Sequence, residues 1–340
     1  MKQAVMTAPG KIEIRNVPVP VPGPGEVLLE IQRIGVCGSD IHVYHGKHPY
    51  TSYPIVQGHE FSAVVAAVGS EVSGLTPGAK VTSMPQIVCG ECAPCKRGDY
   101  HICDHLKVQG FQAPGCAQEY WVTRADSIIP LPDSFSFEQG ALVEPLSVAV
   151  HAVSRAGDIR GKNVVVLGAG PIGNLVSQTA RQAGANVLIT DLSEYRLGIA
   201  QQCGLAATSC ARNETLSQAS ERVFGQAGFD TALECVGVEP TMTSAIAAIQ
   251  KGGTIVVVGV FGEKPRVDLG LVQDHELTLR GTLMYQRADY VRAVDLIASG
   301  GVITRPLMSK HFSIDDYLEA YHFIDAQGDK SLKVFIDIHS

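Results

Sequence analysis

Apolar and polar positions alternate along the first part of the chain, as in Lys11-Ile-Glu-Ile-Arg15 and Glu26-Val-Leu-Leu-Glu-Ile31, with Val17-Pro-Val-Pro-Val-Pro-Gly-Pro-Gly25 between them. A period of two sends successive side chains to opposite faces, so these segments predict short, half-buried strands joined by proline-stiffened turns. Phe61–Val68 and, past the Pro77-Gly78 turn, Lys80–Met84 continue the series. A small β-rich, partly open barrel is expected. From Val164 the pattern changes. Apolar runs at Val164–Leu167, Val187–Thr190, Thr231–Cys235 and Thr254–Val258 alternate with stretches of helical spacing, and Leu277–Arg280 reads as a later edge or linking strand. Strands that alternate with helices predict an α/β unit built on a doubly wound parallel sheet. Towards the end, Val291, Val294, Ile297 and Ala298 mark one face of a helix within 290–303. Asp315–Ile324 repeats the spacing behind Ser313 as N-cap, and Leu332–Ile336 is a last strand.

Where the two patterns meet, Val164-Val-Val-Leu-Gly-Ala-Gly-Pro-Ile-Gly173 reads as strand, tight turn and helix start. Gly168 permits the turn, Gly170 lets the backbone approach a pyrophosphate, and Gly173 lets the helix pack close to the strand, with Pro171 and Ile172 completing the loop. The phosphates would rest on the helix N-terminus, where free N–H groups favour negative charge. The next apolar run ends in Asp191, 18 positions after Gly173, near the roughly 20 expected for the acidic residue that holds the adenosine ribose. Together these make a dinucleotide-binding (Rossmann) fingerprint. A carboxylate at Asp191 would repel a 2′-phosphate, which favours NAD over NADP. Val236-Gly237 and Val258-Gly259 follow two of the strands and are expected to line the nicotinamide crevice. Plain strand-end glycines are the alternative there. Arg196 either flanks the adenosine or is a solvated helix arginine.

At 340 residues the chain has room for two domains, and with 45 % hydrophobic and 18 % charged residues it has the material for packed cores. The net charge of −7, with no Lys/Arg run, argues against a nucleic-acid partner. Met1–Pro9 lacks a signal-peptide core and no stretch of 18 uninterrupted apolar residues occurs, so no membrane association is expected and the cytoplasm is the expected location. Nine cysteines change the picture, because Cys89, Cys92, Cys95 and Cys103 fall within 15 residues. Four sulfurs at that spacing are able to close a tetrahedron around a structural zinc; an iron–sulfur cluster is the chemical rival. Earlier, Cys37 lies in Gly35-Val-Cys-Gly-Ser-Asp-Ile-His42, and Gly58-His59-Glu60 follows 22 residues after it. Thiolate, imidazole and carboxylate are ligand types of an open catalytic zinc. Spacing alone leaves a core cysteine and a surface histidine as an equal alternative.

With Gly58-His-Glu60, the four-cysteine segment and Gly168-Ala-Gly-Pro-Ile-Gly173 in one chain, the sequence resembles the zinc-containing medium-chain dehydrogenases from Lys11 to about Ile336. The resemblance implies a GroES-like catalytic domain (1–147 and 284–340) and a Rossmann NAD-binding domain (148–283). Alcohol dehydrogenases use a second cysteine on the catalytic zinc, whereas Cys235 here falls in the cofactor domain. The match is closer to the polyol dehydrogenase branch. In that branch the carboxylate of Gly-His-Glu, here Glu60, takes the third position beside Cys37 and His59, and the glutamate of Glu-Pro-Leu, here Glu144, supports the metal. For Glu144 an acid closing a helix N-terminus is the alternative.

The resemblance further implies about two zinc ions per chain, one open and one closed. It implies a proton path through Ser39 and His42, hydride transfer to NAD, and a homodimer or homotetramer acting on a small polyol, sugar or sugar acid. Leu283 joins the cofactor set. His45 and His48 read as exposed loop histidines. Tyr44, Tyr50, Phe111, Cys116 and Leu283-Met-Tyr285 are expected to set substrate choice, and Met284 stands where mammalian polyol dehydrogenases carry arginine. A threonine dehydrogenase is the neighbouring alternative, and a non-catalytic NAD-binding zinc protein the alternative of another class.

Overall fold

In the computed structural model, which describes residues 1–339, the chain divides into two units. One holds Met1–Glu144, Gln286–Val294 and the chain from Met308 onward, and the other Pro145–Tyr285 and Asp295–Leu307.

The spine of the first unit is the strand Glu26–Val36, which pairs antiparallel with Glu60–Val68, Tyr120–Arg124 and Lys333–Asp337. Val27, Leu29 and Ile31 follow the period of two and are fully buried, yet so is Ile34, which is out of phase with them. A bulge between Ile31 and Arg33 accounts for this. The extra residue shifts the alternation by one, and the apolar set stays on the core side. Lys80–Ser83 and Ile128–Pro130 extend the sheet on one flank, and Met308–Ser313 closes the other, parallel to Lys333–Asp337. Lys2–Ala8 lies within the alternating first part of the chain, whereas the strands Tyr120–Arg124 and Met308–Ser313 have no sequence signal among the runs above. The last of them is polar and largely exposed. Ser313 does cap, accepting from the Asp316 N–H, but it caps a short 3-10 turn, and the helix proper runs Tyr317–Gln327. That helix buries Tyr317, Ala320 and Tyr321 in the same core as Val36, Val43, Tyr44 and Val334.

The second unit is a six-stranded parallel sheet in the order Ala207–Cys210, Asn186–Asp191, Asn163–Leu167, Thr231–Glu234, Thr254–Val257, Thr278–Gly281. The order turns at Asn163–Leu167, so the loops after that strand and its neighbours open on one crevice beyond the carboxyl ends. Ala-Thr-Ser-Cys at 207–210 carries no apolar run and has no sequence signature. It is a strand because its backbone completes the ladder beside Asn186–Asp191. The helix Pro171–Gln182 starts with Gly170 at the N-cap and Pro171 in its first turn, where proline's missing N–H is not needed. Every residue from Gly173 to Ala180 is buried. The polar Gln178 among them is satisfied by Ile303, donating to its carbonyl at 3.2 Å and accepting from its N–H at 2.7 Å. Among the described residues no helix is long and apolar enough to cross a membrane.

Candidate metal and dinucleotide sites

In the first unit, donor atoms of Cys37, His59 and Glu60 all lie within 4.8 Å of one another. Cys37 ends the spine strand and is the N-cap of the helix Gly38–Tyr44. Its N–H donates to Asp40 Oδ2 at 2.9 Å, the return contact that an acid at the third helical position makes. The other carboxylate oxygen, Oδ1, stands 3.6 Å from His59 Nδ1. That nitrogen is buried and has no hydrogen-bond partner closer than this. Nε2 is therefore the nitrogen left to face Cys37, to which His59 is also hydrogen-bonded. A carboxylate behind one imidazole nitrogen and open donors before the other is the arrangement of a metal-bound histidine. Burial opposes charge on His59, but Asp40, Cys37 and Glu144 overcome it and raise the imidazole well above its ordinary range. Asp40 is 2 % exposed and is raised by its own burial, against the pull of His59.

Glu60, 1 % exposed, receives Lys333 Nζ on both oxygens, at 2.8 and 2.5 Å. Lys333 is itself buried, and Glu60 outweighs that burial to keep its ammonium above the usual lysine value. Glu144, in the first turn of Val143–Arg155, is buried near enough for its charge to act on both His59 and Lys333, and stands outside the converging trio. Ser39 Oγ lies 3.8 Å from Cys37 Sγ, while His42 is exposed at the far end of the same short helix.

The second cluster is Cys89, Cys92, Cys95 and Cys103, again with all sulfurs within 4.8 Å. All four are free thiols, with sulfur–sulfur separations of 3.6 Å for Cys103–Cys89 and 3.8 Å for Cys92–Cys103. A tetrahedron of sulfurs around zinc at 2.3 Å has an edge of about 3.8 Å, so these separations suit zinc and are far too long for a disulfide. The N–H groups of Cys89, Cys92 and His105 point at sulfurs of the cluster. Backbone N–H groups lower the Cys92 thiol to about 6, while desolvation and its neighbours push Cys95 up to about 12. No position is left on this closed set for a substrate.

In the second unit, Gly173 tolerates no side chain, since a Cβ there would come within 1.9 Å of the Gly168 carbonyl oxygen. A Cβ on Gly170 would meet nothing closer than Arg196 Nη1 at 3.9 Å. That gap, at the N-cap of Pro171–Gln182, is the cradle a pyrophosphate requires, and Arg196 borders it. Asp191 accepts the Ala169 N–H at 2.6 Å on one oxygen and the Ser193 N–H at 2.8 Å on the other. Its carboxylate is thereby pinned at the mouth of the glycine turn. Gly237 and Gly259 press together backbone to backbone: a Cβ on Gly259 would lie 2.2 Å from the Gly237 nitrogen. Val236, Val238, Val260 and Leu283 are apolar and 43 %, 43 %, 78 % and 52 % exposed. They follow three adjacent parallel strands and form an uncovered apolar surface at their carboxyl ends. Val258 leads into the same turn, half-buried.

Several expectations need correction. Tyr44, Phe111, Cys116 and Tyr285 are buried side chains, at 8 %, 6 %, 0 % and 0 % exposure, and so present no open surface of their own to a substrate. His48 is not a free loop histidine: it is half-buried, stacks on Phe111 with ring centroids 4.8 Å apart, and bonds Thr51 at 2.7 Å. Phe111 packs in turn against His59. His45 is exposed, as expected, and pairs with Asp325 at 2.9 Å. Asp40 and Lys333 were missed in the sequence. The first had a signal, an acid three residues after a candidate ligand; so did the second, a lysine inside an apolar strand.

The family model described as the alcohol dehydrogenase GroES-like domain matches residues 23–133, and that described as zinc-binding dehydrogenase matches residues 171–299. The chain is 38 % identical to 2-dehydro-3-deoxy-L-galactonate 5-dehydrogenase of Pseudoalteromonas atlantica, with 92 % of each chain covered. It is 36 % identical to sorbitol dehydrogenase of Ovis aries, over 93 % of this chain and 91 % of that one. Its fold is similar to that of a Sinorhizobium meliloti zinc-binding dehydrogenase bound to NADP, with a TM-score of 0.93, 31 % identity and 99 % of both chains covered.

The Glu60–Lys333 pair makes a prediction for the metal-free protein. Lys333→Met leaves a buried carboxylate without its cation and should cost about 3–5 kcal/mol, read from denaturant unfolding in the presence of chelator. Glu60→Gln added to Lys333→Met should recover most of the loss. A single variant as stable as the wild type would mean that Glu60 has another partner.

Proposed function

We propose that this chain, which belongs to the zinc-binding dehydrogenase family with its alcohol dehydrogenase GroES-like domain, oxidises a secondary hydroxyl of a polyol, sugar or sugar acid with NAD. The observation that carries this reading is the convergence of Cys37, His59 and Glu60 beside the Ser39 hydroxyl. The relatives named for a sugar acid and for sorbitol support the substrate class.

Cys37, His59 and Glu60 would hold a zinc that supplies Lewis acidity toward the substrate hydroxyl. Cys89, Cys92, Cys95 and Cys103 would enclose a second zinc that only holds their lobe together. A bound nicotinamide would supply hydride acceptance, so that oxidation of the carbinol carbon would yield a ketone, NADH and one proton. That proton is the business of the chain's own residues. Ser39 accepts it from the hydroxyl and passes it towards His42, whose exposed imidazole reaches solvent. Glu144 adds negative charge behind His59 and Lys333. In the second unit, the open backbone at Gly170 with Pro171, Ile172 and Arg196 receives the pyrophosphate, and Asp191 takes the ribose hydroxyls. Val236, Gly237, Val258, Gly259 and Leu283 support the nicotinamide.

We further read the protein as a cytoplasmic homodimer or homotetramer. The strand Thr278–Gly281 ends its sheet, and Leu279 on it is exposed, as an edge that pairs with a second copy would be. Free thiols suit a reducing compartment.

A panel of polyols, sugar acids, L-threonine and simple alcohols with NAD, followed as NADH formation, tests the reading. Turnover should be confined to polyhydroxylated secondary alcohols and should stop on mild chelation. Activity with threonine alone would move the chain to the amino-alcohol branch, and no turnover with any of them would leave a non-catalytic protein.

Cofactor choice should rest on Asp191. Asp191→Gly removes a carboxylate that binds the ribose diol and repels a 2′-phosphate, so the ratio of kcat/KM for NAD over NADP should fall by at least about tenfold, the cost of one charged contact. An unchanged ratio would sink the assignment.

For the proton path, Ser39→Ala should lose roughly 10²–10⁴-fold in kcat with zinc content unchanged. His42→Ala should lose less and regain activity in imidazole buffer. Full activity of Ser39→Ala from pH 6 to 9 would place the path elsewhere.

A further inference from the structure

Behind the trio of donors runs a line of buried polar side chains that ends in the C-terminal helix. Tyr321, on the helix Tyr317–Gln327 and fully buried, donates its hydroxyl to Gln57 Oε1 at 2.9 Å. Gln57, 2 % exposed, turns its Nε2 to Asp40, 3.3 Å from Oδ1 and 3.4 Å from the carbonyl oxygen. Asp40 then meets both candidate ligands, accepting the Cys37 N–H on Oδ2 and facing His59 Nδ1 with Oδ1. We propose that Tyr321 is a positioning residue for the metal: through Gln57 and Asp40 it sets the orientation of His59 and of the Cys37 backbone. The proposal rests on the reading of Cys37, His59 and Glu60 as zinc ligands.

Three features support this role. An amide has two possible orientations, and only the one with Nε2 toward Asp40 avoids setting an oxygen against a carboxylate. A tyrosine hydroxyl donating to Oε1 selects that orientation. Burial pushes the Tyr321 phenol well above its usual value, so it remains a donor throughout the working pH range. The ring itself has little freedom, stacked on Tyr317 at 5.7 Å and tilted against Tyr44 at 5.1 Å. A proton path is the wrong description of this line. Gln57 carries no exchangeable acid, and Tyr321, Gln57 and Asp40 are all buried, so the line has no exit to solvent. What it is able to transmit is geometry. Its far end lies some 260 residues along the chain from His59, in a helix packed into the same core as the tip of the spine strand.

The test uses full-length protein loaded with zinc, Tyr321→Phe as the variant that removes only the hydroxyl, and Gln57→Leu as a second should the first fail to fold. Outer partners of a metal-bound histidine are worth about 10–100-fold in metal affinity. Competition against a chromophoric chelator should therefore show the open-site zinc held more weakly in Tyr321→Phe, by up to about the tenfold that loss of Asp40 itself would reach, with the four-cysteine zinc unchanged. Cobalt substituted at the open site should show shifted visible ligand-field bands. In an Asp40→Asn background, Tyr321→Phe should add little to the loss. A variant that melts earlier but keeps wild-type zinc affinity and cobalt bands overturns the proposal, and so does an undiminished effect in the Asp40→Asn background. Zinc content of Cys37→Ala equal to that of the wild type would instead overturn the ligand reading on which it rests.

Discussion

An ionised group in a protein interior is tolerable only with a partner of opposite charge or a set of hydrogen bonds, and the first unit buries several such groups in one place. Asp40, His59, Glu60, Glu144 and Lys333 are all under 10 % exposed. Four of them are held by named partners: Lys333 and Glu60 by each other, His59 by Asp40, and Asp40 by the Cys37 N–H and Gln57. Without a metal the cluster is closed by the lysine. With one, the same carboxylate has two cations to choose between. The cost of burying so much charge gives a reason for the rigid frame around it: the bulged spine strand, the capped helix after Cys37, and the C-terminal strand that delivers Lys333.

The two cysteine-bearing sites differ in how the chain builds them. Cys89, Cys92, Cys95 and Cys103 come from one short segment whose own N–H groups orient the sulfurs, so the geometry is local and the shell is full. Cys37, His59 and Glu60 come from two strands that meet only through the sheet, Gly35 opposite Glu60. Three donors from strand ends would leave a zinc, as proposed, with a fourth position for substrate. The second unit shows a different economy. Its site is backbone: Gly168 and Gly173 in van der Waals contact, Gly237 against Gly259, Asp191 pinned by two N–H groups. A dinucleotide bound there, as proposed, would meet fixed backbone dipoles and the Asp191 carboxylate, and the surface depends on the sheet order that brings three strand ends together.

By itself the sequence determined whatever is local. The glycine turn, the acidic end of the next strand, the four-cysteine lobe and the alternation of the spine strand are all legible because spacing along the chain equals neighbourhood in space. Period-two and period-3.6 patterns report a buried face, so the strands that bury one were visible. Ala207–Cys210 and Met308–Ser313, held by ladder hydrogen bonds at the borders of their sheets, were not. Tertiary structure alone decided the contacts between distant segments: Lys333 on Glu60, Tyr321 on Gln57, His48 on Phe111, and the burial of Tyr44 and Cys116. A side chain's charge or polarity is written in its letter, but its partner is chosen by which strands pair and which helix covers them. That choice is a sum over the whole core, and no window of the chain contains it.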